Sequence, residues 1–421
     1  MRLAVFEPLR HRNFALVWSA ALISNVGTWM QSVALGVYVT AATHNPLWTG
    51  LIGAATFLPG GLLAPVGGAL ADRFDRRRWL LWTTVGETFF AAVLAICALT
   101  GHLHPALAVL LAFGGGCISA VGFPAYQALL PDLVDGEGLF AAVTLSSAQY
   151  NMGRILGPVA TAVALTLGSY GTAFVVNAVS FLAVVGALMA VRLPRRPSKE
   201  VTNQLLAEIR RGVGVAWAEP GCRAAITLIG LTALIAAPFI GLIPAVAIDS
   251  LGLVGRPRQA AGTSTLVVAQ GIGAVLGLMI VPSLAARVGR VRVLRGAMLA
   301  LGPLLVLYGL MPNLWSASLS LVLLGGCYLS VLTGLNAVVQ LRVPGVARAR
   351  VLSLFTFSLA TSYTLGLVGQ GALARRLGHA GVRVVTIGSG LIFVALAAAL
   401  MLRRSAWFES LGDPAAETAA P

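Results

Sequence analysis

Charged residues are scarce in this sequence. Asp, Glu, Lys and Arg together make up 10% of its 421 residues, whereas about 25% is usual for a soluble domain. Apolar residues reach 58%, against about 45–50% in soluble domains. This composition excludes an ordinary soluble enzyme, and it also excludes a disordered chain, a collagen and a disulfide-bonded scaffold.

Acidic residues and lysine are rarer than arginine. Asp and Glu number 14 against 29 Lys and Arg, the net charge is +15, and Lys199 is the single lysine. A basic chain can bind nucleic acid, but these arginines occur in short clusters between apolar stretches and not on one domain. Such clusters are typical of membrane-topology signals, so we expect no nucleic-acid partner.

Histidines, and the motifs that bind metals or nucleotides, are missing from the apolar stretches. All five histidines lie outside them. The four cysteines lack the spacing of a zinc site, and the GxxxxGK[ST] loop of ATP-hydrolysing proteins does not occur. We therefore expect no enzyme activity, no metal and no cofactor.

Long apolar stretches account for most of the chain, six before a polar gap and six after it. They lie at about 14–40, 47–71, 79–100, 105–130, 139–167, 170–191, 223–248, 260–286, 292–311, 315–341, 351–374 and 381–402. An α-helix needs about 20 apolar residues to cross a bilayer, and a chain in lipid must satisfy its own backbone hydrogen bonds. We predict an all-α membrane protein with twelve transmembrane helices in two six-helix pseudo-repeats.

The distribution of basic residues predicts the orientation. If the N-terminus is cytoplasmic, most Lys and Arg residues fall on the cytoplasmic side, as the positive-inside rule requires. The weakest point is the last external loop, which carries Arg375, Arg376 and Arg383. We expect both termini to be cytoplasmic and the protein to be a multi-pass protein of the inner membrane.

The predicted spans divide the chain into four parts. Residues 1–192 form an N-terminal six-helix bundle and 223–404 a C-terminal one. Between them, 193–222 is a cytoplasmic linker, in which Ile209, Val213 and Trp217 recur at the spacing of an amphipathic helix on the membrane surface. Residues 405–421 are small and acidic, and we expect a disordered tail.

A basic motif occurs once in each half. Leu70–Arg78 follows the second span and Leu284–Arg292 follows the eighth, with Arg73 and Arg76 matching Arg287 and Arg290. Two six-helix halves that repeat in parallel are an architecture of secondary transporters. Asp72 has no acidic counterpart in the second half, where Ala286 stands.

These motifs carry a resemblance to a known family. Gly68-Ala69-Leu70-Ala71-Asp72-Arg73, followed by Arg76-Arg77-Arg78, resembles the loop between helices 2 and 3 of the major facilitator superfamily, except that Asp75 replaces the usual glycine. The segments Gly27–Gly36, Pro124–Pro131 and Arg154–Pro158 are similar to the transmembrane secretion effector family, which includes siderophore and macrolide exporters.

The resemblance implies a gating role for the loop motif. It implies that Asp72, Arg73 and Arg76, with Gly68, Arg77, Arg287 and Arg290, hold the cytoplasmic ends of the halves together in the outward-open state. The alternative for the arginines, Arg77 above all, is that they only mark the cytoplasmic side.

Polar groups inside the spans are the candidates for function, because charges in a membrane interior are costly. Glu87 in the third span is the proton-coupling candidate, and Arg154 lies in the fifth; the alternative is that the two form a structural pair. The resemblance implies that helices 1, 4, 7 and 10 line a central cavity, and ordinary helix packing is the alternative for the aromatic residues. The substrate-cavity candidates are Asn25, Trp29, Ser32, Tyr126, Tyr150, Arg154, Asn336 and Gln340.

The sequence thus predicts a secondary active transporter that works by alternating access. We expect it to export a hydrophobic or anionic small molecule, such as an antibiotic or a siderophore-like compound, driven by a proton or other ion gradient. Its partners are then this small molecule and the lipid bilayer, and we expect a monomer. The alternatives are a facilitative importer, or a membrane sensor or assembly protein on the same fold.

Overall fold

A computed structural model describes residues 4–134, 138–191, 205–343, 345–403 and 410–411. Within these ranges the chain is helical and forms no strand. The helices of the first half are α1 Arg12–Thr43, α2 Pro46–Arg73, α3 Arg76–Leu99, α4 Pro105–Leu133, α5 Leu139–Leu167 and α6 Tyr170–Ala190. Those that follow are α7 Leu205–Ala218, α8 Pro220–Ile235, α9 Ile243–Ala245, α10 Arg256–Val288, α11 Arg290–Leu310, α12 Leu314–Arg342, α13 Gly345–Arg376 and α14 Gly381–Arg403.

Several helices begin at side chains that accept hydrogen bonds from the first turn. The Asp75 carboxylate accepts from the backbone N–H of Arg78 at the start of α3, and Asn313 accepts from Ser316 at the start of α12. Ser169 and Thr172 form a reciprocal capping box at α6. The first N–H groups of a helix have no partner within it, so these caps set where each helix begins.

Not all of the long helices are equally apolar. In the described chain, nine are long and apolar enough to cross a membrane, or ten if the bent pair α7 and α8 forms one span. Helices α1 and α5 have 32 and 29 residues but are too polar to be among them. The total of twelve spans and the cytoplasmic termini stay predictions.

The chain forms two compact units. The first consists of Met1–His44, Ala55–Val201 and Val254–Thr265, and the second of Asn45–Ala54, Thr202–Leu253 and Leu266–Pro421. In the first unit α1 packs against α5 and α6, and α3 against α4 and α6; in the second, α11 packs against α12 and α14, and α13 against α7 and α8. Each unit has its own apolar core, with Phe14 in the first and Phe355 in the second.

Glycines let the backbones of α10 and α12 touch inside the second unit. A Cβ atom on Gly273 would collide with the backbone of Val322, and one on Gly277 with that of Gly326. A Cβ on Gly325 would collide in the same way with the backbone of Gln270. Small residues at such contacts are typical of helix pairs in membranes.

The seventh predicted span, 223–248, is not one continuous helix. Helix α8 ends at Ile235, and a 3₁₀ turn at Ala237–Phe239, the short α9 and a π turn at Val246–Ser250 follow it. Pro238 and Pro244 provide no backbone N–H, so they interrupt the helical hydrogen bonds. The Gln370 amide donates to the carbonyls of Leu234 and Ile235 over 3.3 and 2.8 Å. We call Ala236–Ser250 the broken segment.

The predicted linker contains the expected helix. Helix α7 covers 205–218 and meets α8 at a bend of 107°, while 192–204 lie outside the described residues. Gly212 packs against Arg350 of α13, and Val213 and Trp217 are exposed. Of the predicted tail, Ser410 and Leu411 are described and Leu411 is buried in the core of the second unit.

Candidate functional site

Helices α1 and α5, which carry polar side chains along their length, lie in close contact in the first unit. Gly153 packs on the backbone of Asn25, and Gly157 packs on that of Trp29 and Met30. The Thr161 hydroxyl donates to the carbonyl of Met30 over 3.1 Å. The contact between these helices therefore sets the position of the polar side chains along both of them.

Three of the predicted cavity residues come together at this contact. The guanidinium carbon of Arg154 lies 5.9 Å from the ring centroid of Trp29, and the Tyr150 ring meets the Trp29 ring edge-on at 5.9 Å and 71°. Tyr150 is 44% exposed, and Trp29 and Arg154 are half-buried. We call Trp29, Tyr150 and Arg154 the aromatic–arginine cluster.

Asn25 and Ser32 lie on the same helix as Trp29, one turn before it and one turn after it. Both are half-buried, and Asn25 lies against Gly153. Gln31, which the sequence did not single out, accepts a hydrogen bond from the fully buried Asn177 of α6 over 2.9 Å. This bond is a polar contact between α1 and α6.

Tyr126 of α4 has partners of its own on α5. Its hydroxyl donates to Oε1 of Gln149 over 3.3 Å and lies 3.5 Å from the Ser146 hydroxyl. Gln149 is 1% exposed, and its amide nitrogen has no partner among the described residues. Ser146 and Gln149 were not predicted as site residues from the sequence, although both are polar and share a helix face with Tyr150.

Glu87 and Arg154 have different partners. Ser119 of α4 hydrogen-bonds to the Glu87 carboxylate, whereas Arg154 lies over Trp29 of α1. Glu87 is half-buried on α3, which packs against α4 and α6. The sequence did not decide whether Glu87 pairs with Arg154. In the structure, the Glu87 carboxylate contacts Ser119.

In the second unit, the predicted cavity residues Asn336 and Gln340 of α12 form a hydrogen bond within the helix. The Gln340 amide donates to Oδ1 of Asn336 over 2.5 Å, and the Thr333 hydroxyl donates to the carbonyl of Leu329 over 2.8 Å. Asn336 is half-buried and Gln340 is exposed. Both side chains therefore remain candidates for contact with a ligand.

The predicted gating motif makes several structural contacts in the first unit. Arg76 donates to the carbonyl of Ala128 over 2.8 Å and forms an ion pair with Asp132 at 3.4 Å, both on α4. Arg77 donates to the carbonyls of Leu188 and Met189 over 2.6 and 3.2 Å, at the end of α6. These two arginines thus join the start of α3 to the ends of two neighbouring helices.

The other members of the first motif are more exposed to solvent. Asp72 and Arg73 are exposed, and the Arg73 guanidinium lies 5.9 Å from the Phe74 ring. A Cβ atom on Gly68 would meet open space. The gating role assigned to these residues stays a prediction.

The second motif differs from the first at its turn. Gly289 has a φ of 93°, a conformation that favours glycine, whereas Asp75 at the matching position has a φ of −56° and caps α3 with its carboxylate. Arg287 and Arg290 are both exposed. The first half thus has a side-chain cap at the position where the second half has a glycine turn.

A comparison with protein families decides what kind of protein carries this site. The family model described as transmembrane secretion effector matches residues 3–417. This chain belongs to the transmembrane secretion effector family. The family expectation is therefore confirmed, and the chain is a multi-pass transporter of the inner membrane and not an enzyme.

Individual relatives of this transmembrane secretion effector are transporters. It is 29% identical over 411 residues to the enterobactin exporter EntS of Citrobacter koseri, and the alignment covers 93% of this chain and 92% of that protein. It is also 29% identical over 171 residues to the staphyloferrin A transporter of Staphylococcus aureus, and this alignment covers 40% of this chain and 43% of that protein.

Solved structures show the same fold. A bacterial homologue of the human lysosomal transporter Spinster, inward-facing and unoccupied, aligns with a TM-score of 0.72 at 15% identity and covers 95% of this chain and 97% of that one. The nucleoside transporter NupG aligns with a TM-score of 0.70 at 14% identity and covers 94% and 99%. At such identities the likeness concerns the fold alone.

Proposed function

We propose that this chain is a secondary active exporter of a hydrophobic or anionic small molecule, driven by an ion gradient through alternating access. The observation that carries the proposal is the aromatic–arginine cluster on α1 and α5. Family membership and the names of the relatives support transport of a siderophore-like compound.

The chemistry of the cluster favours anionic substrates. Arg154 is a permanent cation on a helix in an apolar setting, where charge interactions are stronger than in water. The Trp29 and Tyr150 rings add flat apolar surface for a hydrophobic part of the same molecule. Helix α1 contains no acidic residue, so it offers no carboxylate to an organic cation.

Glu87 is the residue that we assign to coupling. Transport driven by protons requires a group that changes protonation as the protein changes state. Glu87 is a carboxylate within an apolar helix, α3, and Ser119 hydrogen-bonds to it. Proton binding at Glu87 would remove a charge between α3 and α4.

Resistance profiling in an efflux-deficient host tests the export function. Cells that produce the wild-type protein should tolerate at least one class of anionic or hydrophobic compound better than control cells do. Arg154→Gln should reduce this gain in tolerance about tenfold. For substrate binding, a tenfold loss of affinity corresponds to about 1.4 kcal/mol of binding free energy. Asn151→Ala is the matched control, because its amide hydrogen-bonds within α5 to the carbonyl of Ser147.

Two results would count against the proposal. No resistance to any compound, with the protein confirmed in the membrane, would contradict export. Resistance that survives Arg154→Gln would move recognition away from the cluster. Arg154→Lys separates charge from shape, since lysine keeps the charge but lacks the planar group that stacks on Trp29.

The alternatives differ in measurable ways. The direction of substrate flux in membrane vesicles separates an exporter from a facilitative importer. A sensor or assembly protein need not expose the same residues to both sides of the membrane. Cysteines introduced along α1 and α8 should therefore change their accessibility when a transported ligand is added, and unchanged labelling would favour the sensor.

A further inference from the structure

A small pocket lies in the second unit, at the predicted external end, where α11 ends and α12 and α14 begin. It encloses about 260 Å³ of empty space, its opening to solvent included. Ser250 of the π turn, Tyr308 of α11 and Arg383 of α14 are among its lining residues. The enclosed space has room for a single small occupant, such as a water molecule or a monatomic ion, so it is too small for a transported substrate.

Two hydroxyl groups of the pocket lack hydrogen-bond partners. Tyr308 is 2% exposed, and the Ser250 Oγ atom is also out of contact with solvent. Neither oxygen has a partner within the described part of the chain. Buried polar atoms are nearly always hydrogen-bonded in folded proteins, so these two hydroxyls indicate an occupant that the protein atoms do not supply.

Arg383 gives the pocket its charge. Its Nη2 atom donates a long hydrogen bond of 3.4 Å to the carbonyl of Met311, and no described carboxylate forms an ion pair with it. It is the one charged residue of the lining. Arg375, Arg376 and His379 are exposed just before α14, and the positive-inside rule does not account for basic residues at this end.

We propose that this pocket binds a small monovalent anion, of which chloride is the example. A guanidinium only donates hydrogen bonds, and the Ser250 and Tyr308 hydroxyls can both donate. Three donors and one positive charge therefore face the same small space, which favours an anionic acceptor over a cation. A single neutral water molecule is the competing occupant.

The position of the pocket gives the anion a structural effect. The Tyr308 ring packs edge-on against Phe239, with centroids 6.4 Å apart at 71°, and Phe239 belongs to the 3₁₀ turn of the broken segment. Ser250 is the last residue of the π turn of that segment, and π turns are frequent at functional sites. An anion held by Tyr308 and Ser250 would thus connect two parts of the broken segment to α14. These parts are the 3₁₀ turn, through the contact of Tyr308 with Phe239, and the π turn, through Ser250.

Thermal unfolding of the purified full-length protein in lipid nanodiscs tests the proposal. The Tm is measured in sodium chloride and in sodium gluconate at equal ionic strength, because gluconate is too large for the pocket. A ligand that binds only the folded state raises the Tm with its concentration. We expect chloride to raise the Tm of the wild-type protein by about 2 °C or more, and bromide to act like chloride.

Variants localise the effect to the pocket. Tyr308→Phe and Ser250→Ala each remove one hydroxyl, and Arg383→Gln removes the charge, so all three should lose the chloride-dependent part of the Tm. Tyr328→Phe is the matched control, because Tyr328 also packs edge-on against Phe239, at 6.0 Å, but does not line the pocket. It should keep the chloride-dependent shift whatever its Tm in gluconate.

Two outcomes would overturn the proposal. Equal Tm values of the wild-type protein in chloride, bromide and gluconate would mean that water is the occupant. A chloride-dependent shift that persists in Tyr308→Phe and Ser250→Ala would place the anion elsewhere. Since the test measures stability and not transport, it stands apart from the proposed export function.

Discussion

Arg342 at the end of α12 donates a hydrogen bond of 2.8 Å to Oε1 of Glu219, the residue between α7 and α8. Oε2 of the same carboxylate accepts from the backbone N–H of Cys222 in the first turn of α8 over 2.5 Å. The Arg342 side chain is 7% exposed and that of Glu219 25%. Glu219 therefore both begins α8 and joins it to α12.

This relationship predicts a loss of stability in acid. Burial raises the pKa of the Glu219 carboxyl, but the hydrogen bonds from Cys222 and Arg342 outweigh burial and hold the pKa below its ordinary value of 4.5. A group with a lowered pKa in the folded state stabilises the protein above its ordinary pKa, and this contribution disappears as the pH falls through the folded pKa. The wild-type Tm should therefore fall on acidification below about pH 4.5.

Glu219→Gln should remove this part of the pH dependence. At neutral pH it should lower the free energy of unfolding by about 1–3 kcal/mol, as expected for a hydrogen bond to a charged group. Thermal unfolding from neutral to acidic pH is the measurement, with the exposed Asp72→Asn as control. An acid transition equally steep in Glu219→Gln and wild-type protein would assign it to other carboxylates.

The gating motif is tested by residues with different contacts. Asp72 is exposed, so Asp72→Asn should reduce transport about tenfold or more and leave the Tm unchanged. Arg77→Ala should instead lower the Tm, because the carbonyls of Leu188 and Met189 lose their donor. Arg76→Ala should do both, since it also breaks the ion pair with Asp132.

Transport in vesicles and thermal unfolding of the same preparations give the two measurements for this motif. All three variants should insert normally into the membrane, because nearly all of the cytoplasmic basic residues remain. If Asp72→Asn transports like the wild-type protein, the motif serves topology only.

Glu87→Gln should uncouple transport from the pH gradient without abolishing substrate binding. The amide keeps the shape and the contact with Ser119 but does not take up or release a proton. Gradient-driven uptake into inverted vesicles measures coupling, and equilibrium binding measures substrate affinity. Ser119→Ala is the control, because it removes the hydrogen bond and keeps the carboxylate. Normal pH-dependent uptake by Glu87→Gln would give Glu87 a structural role.

The contact between α1 and α5 is sensitive to a single methyl group. A Cβ atom on Gly157 would collide with Trp29 and the backbone of Met30, so Gly157→Ala should lower the free energy of unfolding by about 1–3 kcal/mol. Gly186→Ala on α6 is the matched control, because its Cβ atom would meet open space. A Tm for Gly157→Ala equal to that of the control would show that α1 and α5 separate at little cost.

The helices and the family could be predicted from the sequence because both depend on local patterns. Apolar stretches and polar gaps locate helices in a membrane protein, since lipid leaves few other structures. Helix α7 follows from the spacing of Val213 and Trp217. The family resemblance rests on segments of a few residues, such as Gly68–Arg73, and these do not depend on how the chain folds.

The partners of the site residues could not be predicted, because they come from distant parts of the chain. Arg77 and its acceptor Leu188 are 111 residues apart, and Arg342 and Glu219 are 123 apart. Several helix faces compete for each such side chain, and only packing decides between them. The break in the seventh span was visible in principle, because Pro238, Gly241 and Pro244 lie within it.

The glycine contacts between α10 and α12 have a consequence for saturation mutagenesis. At Gly273, Gly277 and Gly325 any substitution adds atoms against a neighbouring backbone, and a backbone, unlike a side chain, cannot change rotamer to make room. Library members with these changes should be lost at the level of protein abundance, even for alanine. Changes at Trp29 or Arg154 should instead leave abundance intact and lower activity. A library scored for both properties would thus separate positions that assemble the transporter from positions that recognise its cargo.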